Sequence, residues 1–144
     1  MEWAALIAWV ITAGLGSVLL AIWLKRGGMH QGAAGGSRIR PPLIMSHFLL
    51  AATGLVLWIV YLAVDSSALA WIAFALLLVV ALLGFTMFGI WLKRRQAGTA
   101  AGTAATAAGP DVPAEQHFPV AIVGLHGILA ATTLVLVLLA AIDS

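Results

Sequence analysis

His47-Phe-Leu-Leu-Ala-Ala-Thr-Gly-Leu-Val-Leu57 returns as His126-Gly-Ile-Leu-Ala-Ala-Thr-Thr-Leu-Val-Leu136, so one apolar segment is written twice and a histidine opens each copy. The copies differ only at Phe48/Gly127, Leu49/Ile128 and Gly54/Thr133. An ionisable residue inside an apolar helix is costly in a bilayer and usually faces the protein interior, where it pairs with something. Two histidines in the same frame of an internal repeat therefore predict one shared ligand.

The repeat reaches further. Leu15-Gly16 and Ile22-Trp23-Leu24-Lys25-Arg26 return as Leu83-Gly84 and Ile90-Trp91-Leu92-Lys93-Arg94, an offset of 68 residues, against 79 for the histidine segments. The second copy thus carries the longer internal loop, and the duplicated unit is helix, basic loop, histidine helix. Shared Trp-Leu-Lys-Arg and His-x-x-Leu-Ala-Ala-Thr strings weigh against chance similarity between apolar runs. The boundary is drawn between residues 67 and 68, giving two tandem helical hairpins, 1–67 and 68–144.

With 63% hydrophobic and 8% charged residues, and a mean hydropathy of +1.12, the chain lacks the charge a soluble domain needs for its surface. Four apolar runs, at about 3–24, 42–64, 68–92 and 118–142, each reach the ~20 residues that a spanning helix requires. The expected fold is an all-α integral membrane bundle of four transmembrane helices. Every basic residue lies between the first and second runs (Lys25, Arg26, Arg38, Arg40) or between the third and fourth (Lys93, Arg94, Arg95). Both loops are therefore expected to be cytoplasmic and both termini outside. The high pI reflects this bias and not a nucleic-acid surface. Glu2 precedes the first run, and Lys25 and Arg26 follow it, the reverse of a secretory signal, so a retained anchor is expected. Ala- and Gly-rich usage adds the expectation of a bacterial inner (plasma) membrane.

Trp3 and Trp71 at one level and Trp23 and Trp91 at the other are read as aromatic belts. Pro41 and Pro42 are expected to open the second helix and Pro119 the fourth. The turn at Asp65-Ser66-Ser67 makes the second and third spans antiparallel neighbours. The Gly27–Arg40 loop is basic and Gly-rich, and the Ala/Gly/Thr stretch 96–116 is expected to be flexible.

No cysteine is present, which excludes Cys-x-x-Cys-His haem attachment, thiolate clusters and disulfides. Imidazole, thioether and carboxylate remain as ligands. At 1.5 Å rise per residue, His47 and His126 sit at comparable depth near the basic end. Helical spacing runs from His47 through Ala51, Gly54 and Trp58, and from His126 through Ala130, Thr133 and Val137. Small residues beside each imidazole leave a flat space of the kind a porphyrin needs. Arg38 and Arg40, with Lys25 and Lys93 to Arg95, are expected to pair with haem propionates. The expected ligand set is His47 and His126 on the iron of one haem b, lined by Ala51, Gly54 and Ala130.

In its bundle plan and its two histidines the chain resembles four-helix, bis-histidine haem b membrane anchors of respiratory and dehydrogenase complexes. The resemblance implies an electron-transfer subunit without a catalytic site of its own, working between a partner redox protein and the quinone pool or another haem. The competing reading is a cofactor-free accessory subunit of a larger respiratory membrane complex. There, the histidines would be interhelical glue, bonded to Ser46, Thr53, Thr132 or a backbone carbonyl. The two readings differ in whether His47 and His126 must face each other.

His117, at the start of the fourth span, and His30, in the first loop, are read as solvated. His117 is also within reach of a propionate or a quinone headgroup. Zinc is weaker for the set, because a tetrahedral site wants four ligands. Met87 is read as core packing. Gly14, Gly16, Gly84, Gly89, Gly124 and Gly127 are expected to mark close helix contacts. Glu2, Asp65 and Asp143 are interfacial and Asp111 and Glu115 belong to a loop. No ionisable residue is therefore expected near the midplane, which disfavours proton-coupled transport or intramembrane proteolysis.

Overall fold

The structure, a computed structural model, describes residues 1–30, 37–100 and 112–144. Helices α1 (Glu2–Lys25), α2 (Pro41–Val64), α3 (Ser67–Ala100) and α4 (Val120–Ile142) are joined into an antiparallel bundle, with a short 3-10 turn, Ala114–His117, ahead of α4. All four are long and apolar enough to cross a bilayer, the pattern of a multi-pass membrane protein. Many large apolar side chains lie on the outside, among them Ile7, Leu49, Leu82, Phe85 and Ile128. Such a surface is stable only against lipid.

Sequence chemistry explains the ends. Pro41 and Pro42 occupy the first two positions of α2, where a missing N–H leaves nothing unpaired; Pro119 stands one position earlier, as the cap of α4. Asp65 closes α2 in the left-handed region, φ 52°, which a short polar side chain tolerates, and α3 begins two residues later. Helix α3 runs on through Lys93–Arg95 to Ala100, so residues 96–100 are helical where a flexible loop was expected. Gln and Ala sustain a helix once begun. Residues 101–111 of that stretch, and 31–36 of the first loop, lie outside the described residues.

The helices stand in the order α1, α2, α3, α4 around a square. The most extensive contacts are α2 with α3 and α1 with α4, and among the described residues no close backbone approach joins α1 to α3 or α2 to α4. The main packing thus runs between the two sequence repeats, not within each hairpin. Toward the termini the core is Ala5, Trp9, Trp58, Tyr61, Ala73, Leu77 and Val137. Tyr61 Oη donates to Glu2 Oε1 at 2.6 Å.

Toward the basic end the core is Trp23, Ile39, Ile44 and Ala114, with Met87 and Phe118 packed against it. Trp23 and Trp91 are 0% and 5% exposed, so they belong to the interior and not to a lipid-facing belt. Trp3 and Trp71, at the other end, are exposed as a belt requires.

Candidate functional site: a facing histidine pair

α2 and α4 are diagonal helices, and their histidines meet across the bundle. The imidazole centres of His47 and His126 are 6.4 Å apart, with ring planes inclined by 61°. Each ring is anchored to the next helix of the other repeat. His47 Nδ1 lies 3.0 Å from the carbonyl of Val80 in α3, and His126 Nδ1 lies 3.0 Å from the carbonyl of Thr12 in α1. A carbonyl only accepts, so both Nδ1 atoms carry the proton. In the neutral ring the lone pair then sits on Nε2.

The acceptors obey the repeat, since Thr12 and Val80 are related by the same 68 residues as Gly16 and Gly84. One turn beyond each acceptor comes that glycine. A Cβ at Gly16 would stand 3.0 Å from His126 Cε1, and one at Gly84 would stand 3.2 Å from His47 Cε1. Both are inside the 3.5–4.0 Å or so of ordinary carbon contact. Absence of a side chain is what lets each imidazole lie against the neighbouring backbone and reach its carbonyl. At the level of the histidines, the other diagonal is therefore bounded by glycine on α1 and glycine on α3.

The remaining expected positions separate into two groups. Gly54 is buried, but Trp9 fills the space beside it, 3.0 Å from where a Cβ would be; it therefore serves the terminal core instead of lining a space for a ligand. Ala51 packs against that same core, and Ala130 is half-buried. Thr133, the repeat partner of Gly54, is buried, with its hydroxyl 3.3 Å from that of Thr12. Thr53 and Thr132 bond back to carbonyls of their own helices, so neither is a partner of the histidines. Arg38 and Arg40 are exposed at the basic end, and His30 is exposed too. Of the glycines expected at close contacts, Gly14, Gly89, Gly124 and Gly127 meet nothing within 4 Å.

At the basic end two features escaped the sequence reading. Glu115 is fully buried; its Oε2 accepts from Ser37 Oγ at 3.0 Å and its Oε1 from the Arg38 N–H at 2.9 Å. Ser37 Oγ in turn accepts from Trp23 Nε1 at 2.8 Å. This knot ties the first loop to the 3-10 turn over the end of α1. Beside it, both ring nitrogens of His117 and Nε1 of Trp91 are buried without a hydrogen-bond partner among the described residues. His117 was expected to be solvated, and its ring nitrogens are not. An orphaned buried polar group costs about 1–3 kcal/mol. The Arg95 guanidinium lies over the Trp91 ring, 5.2 Å from its centroid.

No cluster of three or more His, Asp or Glu with metal-site geometry occurs among the described residues, so the histidine pair stands as a two-ligand arrangement. Comparison with known proteins returns no match: no protein family, no curated protein and no solved structure is significantly similar to this chain.

Proposed function

We propose that the chain is a haem b electron-transfer subunit of a bacterial inner membrane, in which His47 and His126 would hold the iron of one haem. The observation that carries the reading is the facing pair on diagonal helices, each ring held by Nδ1 so that Nε2 is left with its lone pair. The two rings, with centres 6.4 Å apart, are near enough that one metal would be held by both. Two protein ligands are too few for a structural zinc. They suit an iron whose other four positions come from a porphyrin.

When bound, such an iron takes up and releases one electron. The protein's part is to orient and shield. The carbonyls of Thr12 and Val80 fix the tautomer and the direction of each ring, the role that outer-shell partners of metal-bound histidines generally have. The apolar walls exclude water. Under the positive-inside rule the basic loops face the cytoplasm and both termini the outside, which sets the histidines nearer the cytoplasmic leaflet. On this reading the electron donor is a partner redox protein, and the acceptor is the quinone pool or another haem.

A reduced-minus-oxidised optical spectrum of the detergent-purified protein tests the proposal. The expected result is a sharp α-band of six-coordinate haem b, lost in both His47→Ala and His126→Ala. A featureless spectrum from protein isolated with its native partners overturns it.

One observation favours the cofactor-free accessory reading: each imidazole already ties two helices by a hydrogen bond. Under that reading, His47→Asn and His126→Asn change stability and nothing else.

A further inference from the structure

We propose that His117 and the indole N–H of Trp91 form a carboxylate site, and that its occupants are the propionates of the haem held by His47 and His126. This inference rests on the haem reading above and assigns the far edge of that site.

The chemistry of the orphaned atoms sets the ligand class. Trp91 is 5% exposed, and its Nε1, like both nitrogens of His117, is buried with no partner among the described residues. An indole N–H only donates, so what completes it is an acceptor. His117 supplies a second donor. The Arg95 guanidinium over the Trp91 ring, 5.2 Å from its centroid, adds positive charge, and donors beside a cation favour an anionic oxygen over a neutral carbonyl.

The repeat sets the unpaired donors in one half only. Trp91 is the copy of Trp23, and Trp23 is completed from within the protein: its Nε1 donates to Ser37 Oγ, in the segment just ahead of α2. The corresponding segment ahead of α4 is Gln116-His117-Phe118, and the 3-10 turn that ends at His117 packs on both α1 and α3. One half of the molecule thus satisfies its inner tryptophan with a serine. The other leaves that tryptophan, and a histidine from the matching segment, without a partner among the described residues.

Position relates the orphans to the histidine pair. Gly84 lies against the His47 ring, and Trp91 follows it seven residues later, roughly 10 Å toward the basic end on a helix rising 1.5 Å per residue. His117 precedes His126 on the same side. That distance is comparable to the span from the centre of a porphyrin to the ends of its propionates. Arg38 and Arg40, the partners that charge alone suggests, are exposed instead.

The test is reconstitution of the full-length purified protein with iron protoporphyrin IX and, separately, with its dimethyl ester, followed by the Soret absorbance. Wild type is expected to bind the free acid at least about tenfold more tightly than the ester, the scale of a lost charge-assisted hydrogen bond. His117→Leu and Trp91→Phe should each shrink that preference by lowering affinity for the free acid far more than affinity for the ester, and His117→Gln, which keeps a donor, should retain part of it. Retained ester binding also reports an intact fold. Equal, tight binding of acid and ester by wild type overturns the carboxylate site and leaves the haem reading standing. A preference that survives in both variants assigns the propionates to other residues and equally overturns it. Binding of neither compound removes the haem reading, and this inference with it.

Discussion

Replacing Gly16 by alanine puts a methyl group 3.0 Å from His126 Cε1, about half an ångström inside ordinary carbon contact. The α1 backbone cannot yield without bending the helix, so the imidazole retreats toward the bundle axis. Its Nδ1 bond to Thr12 O, now 3.0 Å, then lengthens toward the ~3.5 Å at which a hydrogen bond is lost. Overpacking costs about 1–3 kcal/mol and an interhelical hydrogen bond in a membrane protein adds about 0.6, so a loss of about 2 kcal/mol is expected. Gly84→Ala meets His47 Cε1 at 3.2 Å and should cost roughly half as much, since the retreat needed is smaller. Gly14→Ala and Gly89→Ala, on the same helices with nothing within 4 Å, are expected to stay within about 0.5 kcal/mol of wild type. Equilibrium unfolding in mixed detergent micelles, followed by tryptophan fluorescence, measures all four. Equal losses for Gly14→Ala and Gly16→Ala would refute the account, because a position with nothing within 4 Å of its Cβ would then lose as much as the one against the histidine.

Glu115→Ala strips the acceptor from Ser37 Oγ and the Arg38 N–H and is expected to cost about 2–4 kcal/mol. The Trp23 environment should change with it, readable in near-UV circular dichroism, while Glu115→Gln should recover part of the loss. Tyr61→Phe removes the 2.6 Å bond to Glu2 Oε1 and should lower stability by about 1–2 kcal/mol, with Glu2→Gln close behind; thermal unfolding in the same micelles checks both. Thr133→Val keeps the shape and loses the 3.3 Å contact with Thr12 Oγ1, for an expected change below about 1 kcal/mol.

Helix number, antiparallel order and the limits of every helix but the end of α3 were legible because hydropathy and the length of a spanning helix are local properties. The inward direction of His47 was legible for a similar reason: stepping from it by helical turns passes small or aromatic residues, and Gly54 and Trp58 are indeed buried. The inner tryptophans were not legible. A Trp beside a Lys-Arg pair at a helix end has the same local signature whether it meets lipid or is capped by protein. What covers Trp23 is a contact between Ser37 and Glu115, 78 residues apart. Glu115 was passed over as a loop charge on the same ground. Six glycines looked alike in sequence, and only rotation of α1 and α3 toward the histidines sets Gly16 and Gly84 apart. The histidines' partners are backbone carbonyls, which every residue possesses, so no side-chain pattern announces them.

The duplication also accounts for which parts of the bundle are symmetric. Around the histidines the two halves agree in arrangement: Gly16 with Gly84, His47 with His126, and the acceptor carbonyls of Thr12 and Val80 at equivalent positions. Toward the termini they diverge in a complementary way. Trp9, Trp58 and Tyr61 of the first half correspond to Leu77, Val137 and Ala140 of the second, and Gly54, which admits Trp9, corresponds to Thr133. A dense core does not accept two such aromatic sets at equivalent places, because the added volume forces strain. Large residues from one half are therefore met by small ones from the other. A pair of equivalent ligands is useful only when both halves keep it, whereas packing is satisfied by any combination of the right total volume. That difference predicts an exchange: Trp9→Leu with Leu77→Trp, combined with Gly54→Thr and Thr133→Gly, transfers the aromatic to the other half. The quadruple variant should be more stable than Trp9→Leu with Leu77→Trp alone, because in the double variant the new tryptophan meets Thr133 instead of glycine. Unfolding in mixed micelles would refute the complementarity if the two variants were equally stable.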